Sequence, residues 1–132
     1  MQRNTGGCLC GAVRYEVRGK LRGVVYCHCS QCRRQTGHCV AATEVDDDCL
    51  SVAGAERVRW FEASPTARRG FCGTCGSVLF WKGLKSPTTA IMAGGFDLPS
   101  GLEAVGHIFV ADKGDYYEIA DGLPQSSGGG ES

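Results

Sequence analysis

Seven of the nine cysteines in this 132-residue chain fall into three tight clusters, and no other feature limits the fold so strongly. The clusters are CLC at Cys8–Cys10, CHCSQC at Cys27–Cys32 and CGTC at Cys72–Cys75. In an extended strand, residues i and i+2 point to one face. Cys8 and Cys10 can therefore reach one centre while Leu9 turns away. Cys27 and Cys29 do the same, which sends His28 to the opposite side. A Cys-x-x-Cys turn also offers two sulfurs to one centre. Gly11 and Gly76 directly follow the second sulfur of their pairs. Glycine there admits a positive φ, so that backbone N–H groups can approach the thiolates.

Soft thiolates select zinc, Cu(I) or iron–sulfur clusters. A structural zinc site is closed by four ligands, and a catalytic one takes three and keeps a position open. Seven sulfurs divide into four plus three. Only Cys27, Cys29 and Cys32 supply three ligands from one cluster. Cys8, Cys10, Cys72 and Cys75 then make a closed set, a long-range staple of the kind small domains use. This reading expects two zinc ions per chain. Spacing alone leaves other partitions open: Cys39 or Cys49 could close the second site, a Cys-x-x-Cys pair can be a redox dithiol, and an iron–sulfur cluster can take such ligands. Cys39 and Cys49 are expected as packing residues, since lone cysteines are usually buried.

Nine is an odd number, and the start MQRNTGGCLCGAVRY has no apolar core of a secretory signal. Both facts argue against a secreted disulfide framework and predict a soluble, cytoplasmic protein. No stretch approaches a membrane span. Lys plus Arg equals Asp plus Glu, 14 each, which argues against a nucleic-acid binder relying on bulk positive charge.

Twenty glycines punctuate short apolar runs, the pattern of brief strands and tight turns. Strands are expected at Ala12–Arg18, Val24–His28, Cys39–Val45, Cys49–Val52, Arg57–Glu62, Arg69–Cys72, Val78–Trp81, Thr88–Ala93 and Gly106–Val110. Val13, Tyr15 and Val17 alternate with polar neighbours and predict one apolar face. Short turns are expected at Gln31–Thr36 and within Asp112–Asp121. The expected organisation is one mostly-β domain over residues 1–124 and a flexible tail over 125–132.

The strings GGCLCGAVRY, CHCSQCRRQTG, GFCGTCGSVLF and HIFVADKGDYYEIADGLPQ occur in this order. Together they resemble the glutathione-dependent formaldehyde-activating (GFA) family, which is grouped with the centromere protein V-type domain. The resemblance covers about Gly6 to Pro124. It implies a single-domain β-tent with zinc sites between small antiparallel sheets. It also implies that Cys8, Cys10, Cys72 and Cys75 bind a structural zinc, and that Cys27, Cys29 and Cys32 bind a catalytic one. The implied chemistry is that of a carbon–sulfur lyase, forming or cleaving a thiol–carbonyl adduct such as S-(hydroxymethyl)glutathione. The implied partners are a small-molecule thiol and an aldehyde. The alternative is a non-catalytic zinc module for a protein or nucleic-acid partner, but this chain lacks the added basic segments expected of one.

Three thiolates on Zn²⁺ leave a net charge of minus one, which suits an exchangeable substrate thiol better than the making of hydroxide. Arg33 and Arg34 follow the third ligand and are candidates to offset that charge and bind a substrate carboxylate. His28 and His107 are expected to be structural. Arg68 and Arg69 are expected at the surface, and Trp60, Phe71, Phe80 and Trp81 in the core. Asp112, Tyr116 and Tyr117 are candidates for a pocket rim.

Overall fold

The computed structural model describes residues 2–129. In chain order its strands are β1 (Arg3–Gly7), β2 (Arg14–Arg18), β3 (Val24–Cys27), β4 (Val40–Asp46), β5 (Leu50–Ala53), β6 (Val58–Ser64), β7 (Ala67–Cys72), β8 (Val78–Gly83), β9 (Thr88–Met92) and β10 (Ala104–Ile108). One short helix, α1 (Ser30–Thr36), links β3 to β4. Among the described residues no helix is long and apolar enough to cross a membrane.

The alternation in β2 decides where the small sheet packs. Val13, Tyr15 and Val17 are 0%, 3% and 0% exposed, while Glu16 on the other face pairs with Arg3 and Arg18 at 3.4 and 3.2 Å. This strand lies between β1 and β5 in a three-stranded antiparallel sheet. A seven-stranded sheet, in the order β10-β3-β4-β9-β8-β7-β6, lies beneath it. The core forms between the two sheets from Val13, Tyr15, Val17, Val45, Leu79, Phe80, Ile91 and Phe96. Tyr15 meets Phe80 and Phe96 edge-on, with ring centroids 5.8 and 5.3 Å apart. Such pairs add about 0.5–1.5 kcal/mol beyond area burial. Ile91 is completely buried in this layer. Ile91→Ala should cost about 2–5 kcal/mol, read as a lower urea midpoint at an unchanged denaturant slope.

Strand parity gives the large sheet two different faces. Along β4, Thr43 and Val45 point to the core, and Val40, Ala42 and Glu44 point away. Along β9, Ile91 points in, and Ala90 and Met92 point away. The registers Arg69↔Trp81, Trp81↔Ala90 and Ala90↔Glu44 put those four side chains in one row on the outer face. Ala42, paired with Val25 and Met92, starts the next row. Helix α1 and the loop after β10 flank this second face.

The mostly-β, single-domain expectation holds, with every expected strand present and its ends shifted by no more than two residues. β1 is an addition. Its sequence RNTGG carries no apolar alternation, and its glycine is steric. A Cβ on Gly6 would lie 2.5 Å from the Gly95 carbonyl oxygen and 2.6 Å from Tyr15 Oη. The sheets are not wholly antiparallel, since β10 runs parallel to β3. The helical turn at Gln31–Thr36 is α1, and the turn expected within Asp112–Asp121 falls at Asp115 and Tyr116, after a 3₁₀ turn at Val110–Asp112.

The first residues of the expected tail have backbone partners beside β10. Ser126 N–H donates to the His107 carbonyl at 2.9 Å, and Phe109 N–H donates to the Gly128 carbonyl at 2.8 Å. Residues 125–128 thus continue the edge beside β10 by satisfying backbone groups that an edge strand leaves open. Residues 130–132 lie outside the described residues.

Candidate functional site

Two groups of cysteines converge, and they divide as four plus three. The Sγ atoms of Cys8, Cys10, Cys72 and Cys75 lie within 4.8 Å of one another, as do those of Cys27, Cys29 and Cys32. Either group could hold a metal ion. All nine cysteines are free thiols, and Cys39 and Cys49 belong to neither group.

The four-cysteine group joins the two sheets. Cys8 and Cys10 lie on the loop after β1 of the small sheet, and Cys72 ends β7 of the large one. Cys10 Sγ is 3.6 Å from Cys8 Sγ and 3.8 Å from Cys72 Sγ. Gly11 and Gly76 both adopt a positive φ, 82° and 81°, as their matched positions predict. Backbone amides then reach the sulfurs: Val13 N–H donates to Cys8 Sγ at 3.3 Å, and Thr74 N–H to Cys72 Sγ at 3.4 Å. Ser77 Oγ, 3.1 Å from Cys75 Sγ, is the main reason that thiol is held down to about 5.

The three-cysteine group sits on the outer face of the large sheet. Cys27 ends β3, Cys29 caps α1 by accepting the Cys32 N–H at 3.4 Å, and Cys32 is buried in the helix. A hydrogen bond with Cys27, followed by the Arg69 guanidinium and Cys29, holds the Cys32 thiol down to about 5 against the pull of burial. The same contact with Cys32 pushes Cys27 up.

Arg69 is the residue that sequence reasoning missed. It is 5% exposed rather than at the surface. Its Nη1 and Nη2 donate to Cys32 Sγ at 3.5 and 3.6 Å, and also to Gln35 Oε1 at 3.1 Å and Gln31 Oε1 at 3.3 Å. Strand parity gives its side of the sheet but not the cavity there. Cys72 faces the core side of β7, so position 69, an odd number of residues earlier, must face the other side.

Arg33 and Arg34 are not among the side chains that line the cavity beside the three cysteines. The helix turns about 100° per residue, so the two residues after inward-facing Cys32 point elsewhere. Arg33 donates Nε–H to the Asp112 carbonyl at 3.3 Å, and Arg34 is exposed. Both lie in the last turn of α1, where a cation meets the negative end of the helix dipole.

A cavity of about 550 Å³ opens beside the three cysteines. Arg69, Trp81, Ala90, Ala42, Met92 and Val25 form its floor, with Ile108 from the end of β10 and Phe109 and Asp112 from the segment that follows. Trp81, expected in the core, is 36% exposed and lines this space. Phe80 does lie in the core, while Trp60 stays 37% exposed with Arg68 stacked 4.2 Å over its ring. Of the expected rim residues, Asp112 lines the cavity and the two tyrosines do not.

His28 and His107 are buried and line no part of the cavity. They form a hydrogen-bonded chain whose direction is set by its end. The Asp121 carboxylate only accepts, so His107 Nε2–H donates to it at 2.8 Å. His28 Nε2–H then donates to His107 Nδ1 at 2.9 Å, and Tyr117 O–H donates to His28 Nδ1 at 2.8 Å. Burial, then His107, lowers the His28 pKa and keeps that ring neutral. The chain ties the C-terminal segment to β3 and β10.

Comparison with known proteins agrees with this anatomy. The family model described as glutathione-dependent formaldehyde-activating enzyme matches residues 3–112. A Halomonas elongata protein named "Putative glutathione-dependent formaldehyde-activating enzyme" is 33% identical over 127 residues, spanning 86% of this chain and 79% of its own. The crystal structure of a Rhodobacter sphaeroides protein superposes with a TM-score of 0.58 at 25% identity, covering 92% of this chain and 98% of that one. The chain therefore belongs to the glutathione-dependent formaldehyde-activating enzyme family.

Proposed function

We propose that this chain is a zinc-dependent carbon–sulfur lyase that forms or cleaves a thiol–carbonyl adduct of the S-(hydroxymethyl)glutathione type. The observation that carries the reading is the three-cysteine group: among the described residues no fourth ligand joins it, and it opens on a cavity. That is the donor count of a catalytic zinc site, whereas four cysteines make a structural one. The donor set also fits in size. Four thiolates at about 2.3 Å from a tetrahedral zinc stand about 3.8 Å apart, close to the 3.6 and 3.8 Å between Cys10 and its neighbours. Cys8, Cys10, Cys72 and Cys75 would hold the structural ion, and Cys27, Cys29 and Cys32 the catalytic one. Nine free thiols suit a reducing compartment such as the cytoplasm.

Zinc at the three-cysteine position would supply positive charge that favours the thiolate form of a substrate thiol. In the forward direction the thiol gives up its proton, the sulfur attacks the carbonyl carbon, and the C=O π electrons become a C–O⁻ that takes the proton. One C–S and one O–H bond replace one S–H and one C–O π bond, with no oxidation. The chain's own part is to orient and to exclude water. Arg69, fixed by Gln31 and Gln35, keeps a buried positive charge against Cys32. Trp81 and Met92 wall the reacting space.

The test is zinc stoichiometry together with thiol-dependent consumption of aldehydes, for the parent chain and Cys29→Ser. Two zincs in the parent, one in the variant, and turnover down by more than about 100-fold, beyond the loss expected of an outer partner, support the reading. A parent with two zincs that consumes no aldehyde with any thiol would instead mark a binding module.

A further inference from the structure

Formaldehyde has two heavy atoms, and a molecule of that size needs the room of one or two waters, about 30 Å³ each. The cavity beside Cys27, Cys29 and Cys32 measures about 550 Å³, within the range of roughly 300–1,000 Å³ for pockets that enclose whole small molecules. Its floor is apolar between the charged side chains of Arg69 and Glu44. Ala42 and Ala90 are small and buried in the floor, with Val25, Met92 and Trp81 around them.

Two guanidinium groups line the space, and both are engaged. Arg22 donates Nη1–H to Glu44 Oε2 and Nη2–H to the Ala42 carbonyl, each at 3.1 Å. Arg69 spends Nη1 and Nη2 on Cys32, Gln31 and Gln35, which leaves its buried Nε–H without a partner. An ionised ligand group laid on Val25, Ala42, Ala90 and Met92 would shed water against side chains that offer it no polar atom. A ring or branched chain there would only gain, by leaving water and touching apolar walls.

We propose that the cavity takes an apolar group of about six to ten carbons, a ring or branched chain carried on the thiol–carbonyl adduct, and that Ala42 and Ala90 set its size. The inference rests on the three-cysteine site being the place of reaction. The group can arrive on the carbonyl half or on the thiol half, and the assay separates the two.

Rates are compared for glutathione with formaldehyde, glutathione with phenylacetaldehyde, and 2-phenylethanethiol with formaldehyde. A phenyl-bearing pair should exceed the first pair in kcat/KM by at least about tenfold, the scale of apolar-pocket discrimination; the pair that gains names the half. Ala42→Leu should shrink that advantage by a similar factor, and Ala90→Leu serves if the first variant does not fold. Independently of turnover, 2-phenylethanol should bind the parent chain in calorimetry and bind Ala42→Leu about tenfold more weakly. If glutathione with formaldehyde is equal or faster and the leucine variants leave the ratio unmoved, the inference is overturned while the lyase reading stands. If no pair reacts, the lyase reading falls and the titration decides: binding weakened by the leucine supports an apolar site, and no binding overturns it.

Discussion

Cys72→Ser should give a chain that no longer folds stably, and stripping the parent of metal with a strong chelator at neutral pH should do the same. Cys72 has no exposed surface and stands at the end of β7, where the large sheet meets the loop from the small one. Its sulfur reaches Cys10, a residue 62 positions earlier, at 3.8 Å. Structural zinc contributes about 10–16 kcal/mol to small zinc-dependent folds, while a whole domain has about 5–15 kcal/mol of net stability. Losing half of the metal contribution, about 5–8 kcal/mol, would exhaust a margin at the lower end of that range, and losing all of it would exhaust most of the range. The core between the sheets persists in the variant as sequence, but its two layers have lost the link that closes one end. The checks are far-UV circular dichroism, a thermal melt and the zinc content of whatever stays soluble. A Cys72→Ser chain that melts like its parent would show that Val13, Val17, Leu79 and Ile91 suffice, and that the four-cysteine ion is incidental.

The two cysteine groups were legible because their signal is local. Ligand spacing, the parity of a strand and the glycine after each pair are readable over a few residues, and Gly11 and Gly76 adopt the φ expected of them. The expected strands were legible for the same reason. What escaped depends on the other side of the sheet. Arg33 and Arg34 stand beside Cys32 in sequence, yet the helix rotates them away. Arg69 is 37 residues from Cys32 and touches its sulfur. No local pattern says that the face opposite the core is a cavity, so an arginine there reads as a surface charge and Trp81 reads as core. The C-terminal residues look like a linker by composition, but their backbone finds the open edge of β10, a partner that composition does not encode. Sequence thus gives the donors, and the register between β7, β8, β9 and β4 gives the pocket that lies next to them.

Arg69→Met should separate the chemistry from the fold. The guanidinium is 5% exposed and faces a sulfur, two glutamine oxygens and the cavity. Methionine keeps much of the volume and removes the charge. A tri-thiolate zinc site carries a net negative charge, and its buried counter-charge would then be gone. Outer partners of metal ligands are worth about 10–100-fold in metal affinity or activity. The second zinc should therefore be lost to a competing chelator at about 10–100-fold lower chelator strength, and thiol-dependent turnover should fall by a similar factor. The first zinc should stay, because the four-cysteine group lies at the junction of the two sheets and has no contact with Arg69. Arg69→Lys should recover less than the charge alone predicts. A lysine ammonium is a point donor and cannot span Cys32, Gln31 and Gln35 in one plane as the guanidinium does. If Arg69→Met binds both zincs with parental affinity and loses only turnover, the arginine acts on the substrate rather than on the cysteines. If neither property changes, the short contacts to Cys32 carry no functional weight, and the counter-charge must come from elsewhere in the cavity wall, where Arg22 is the other cation.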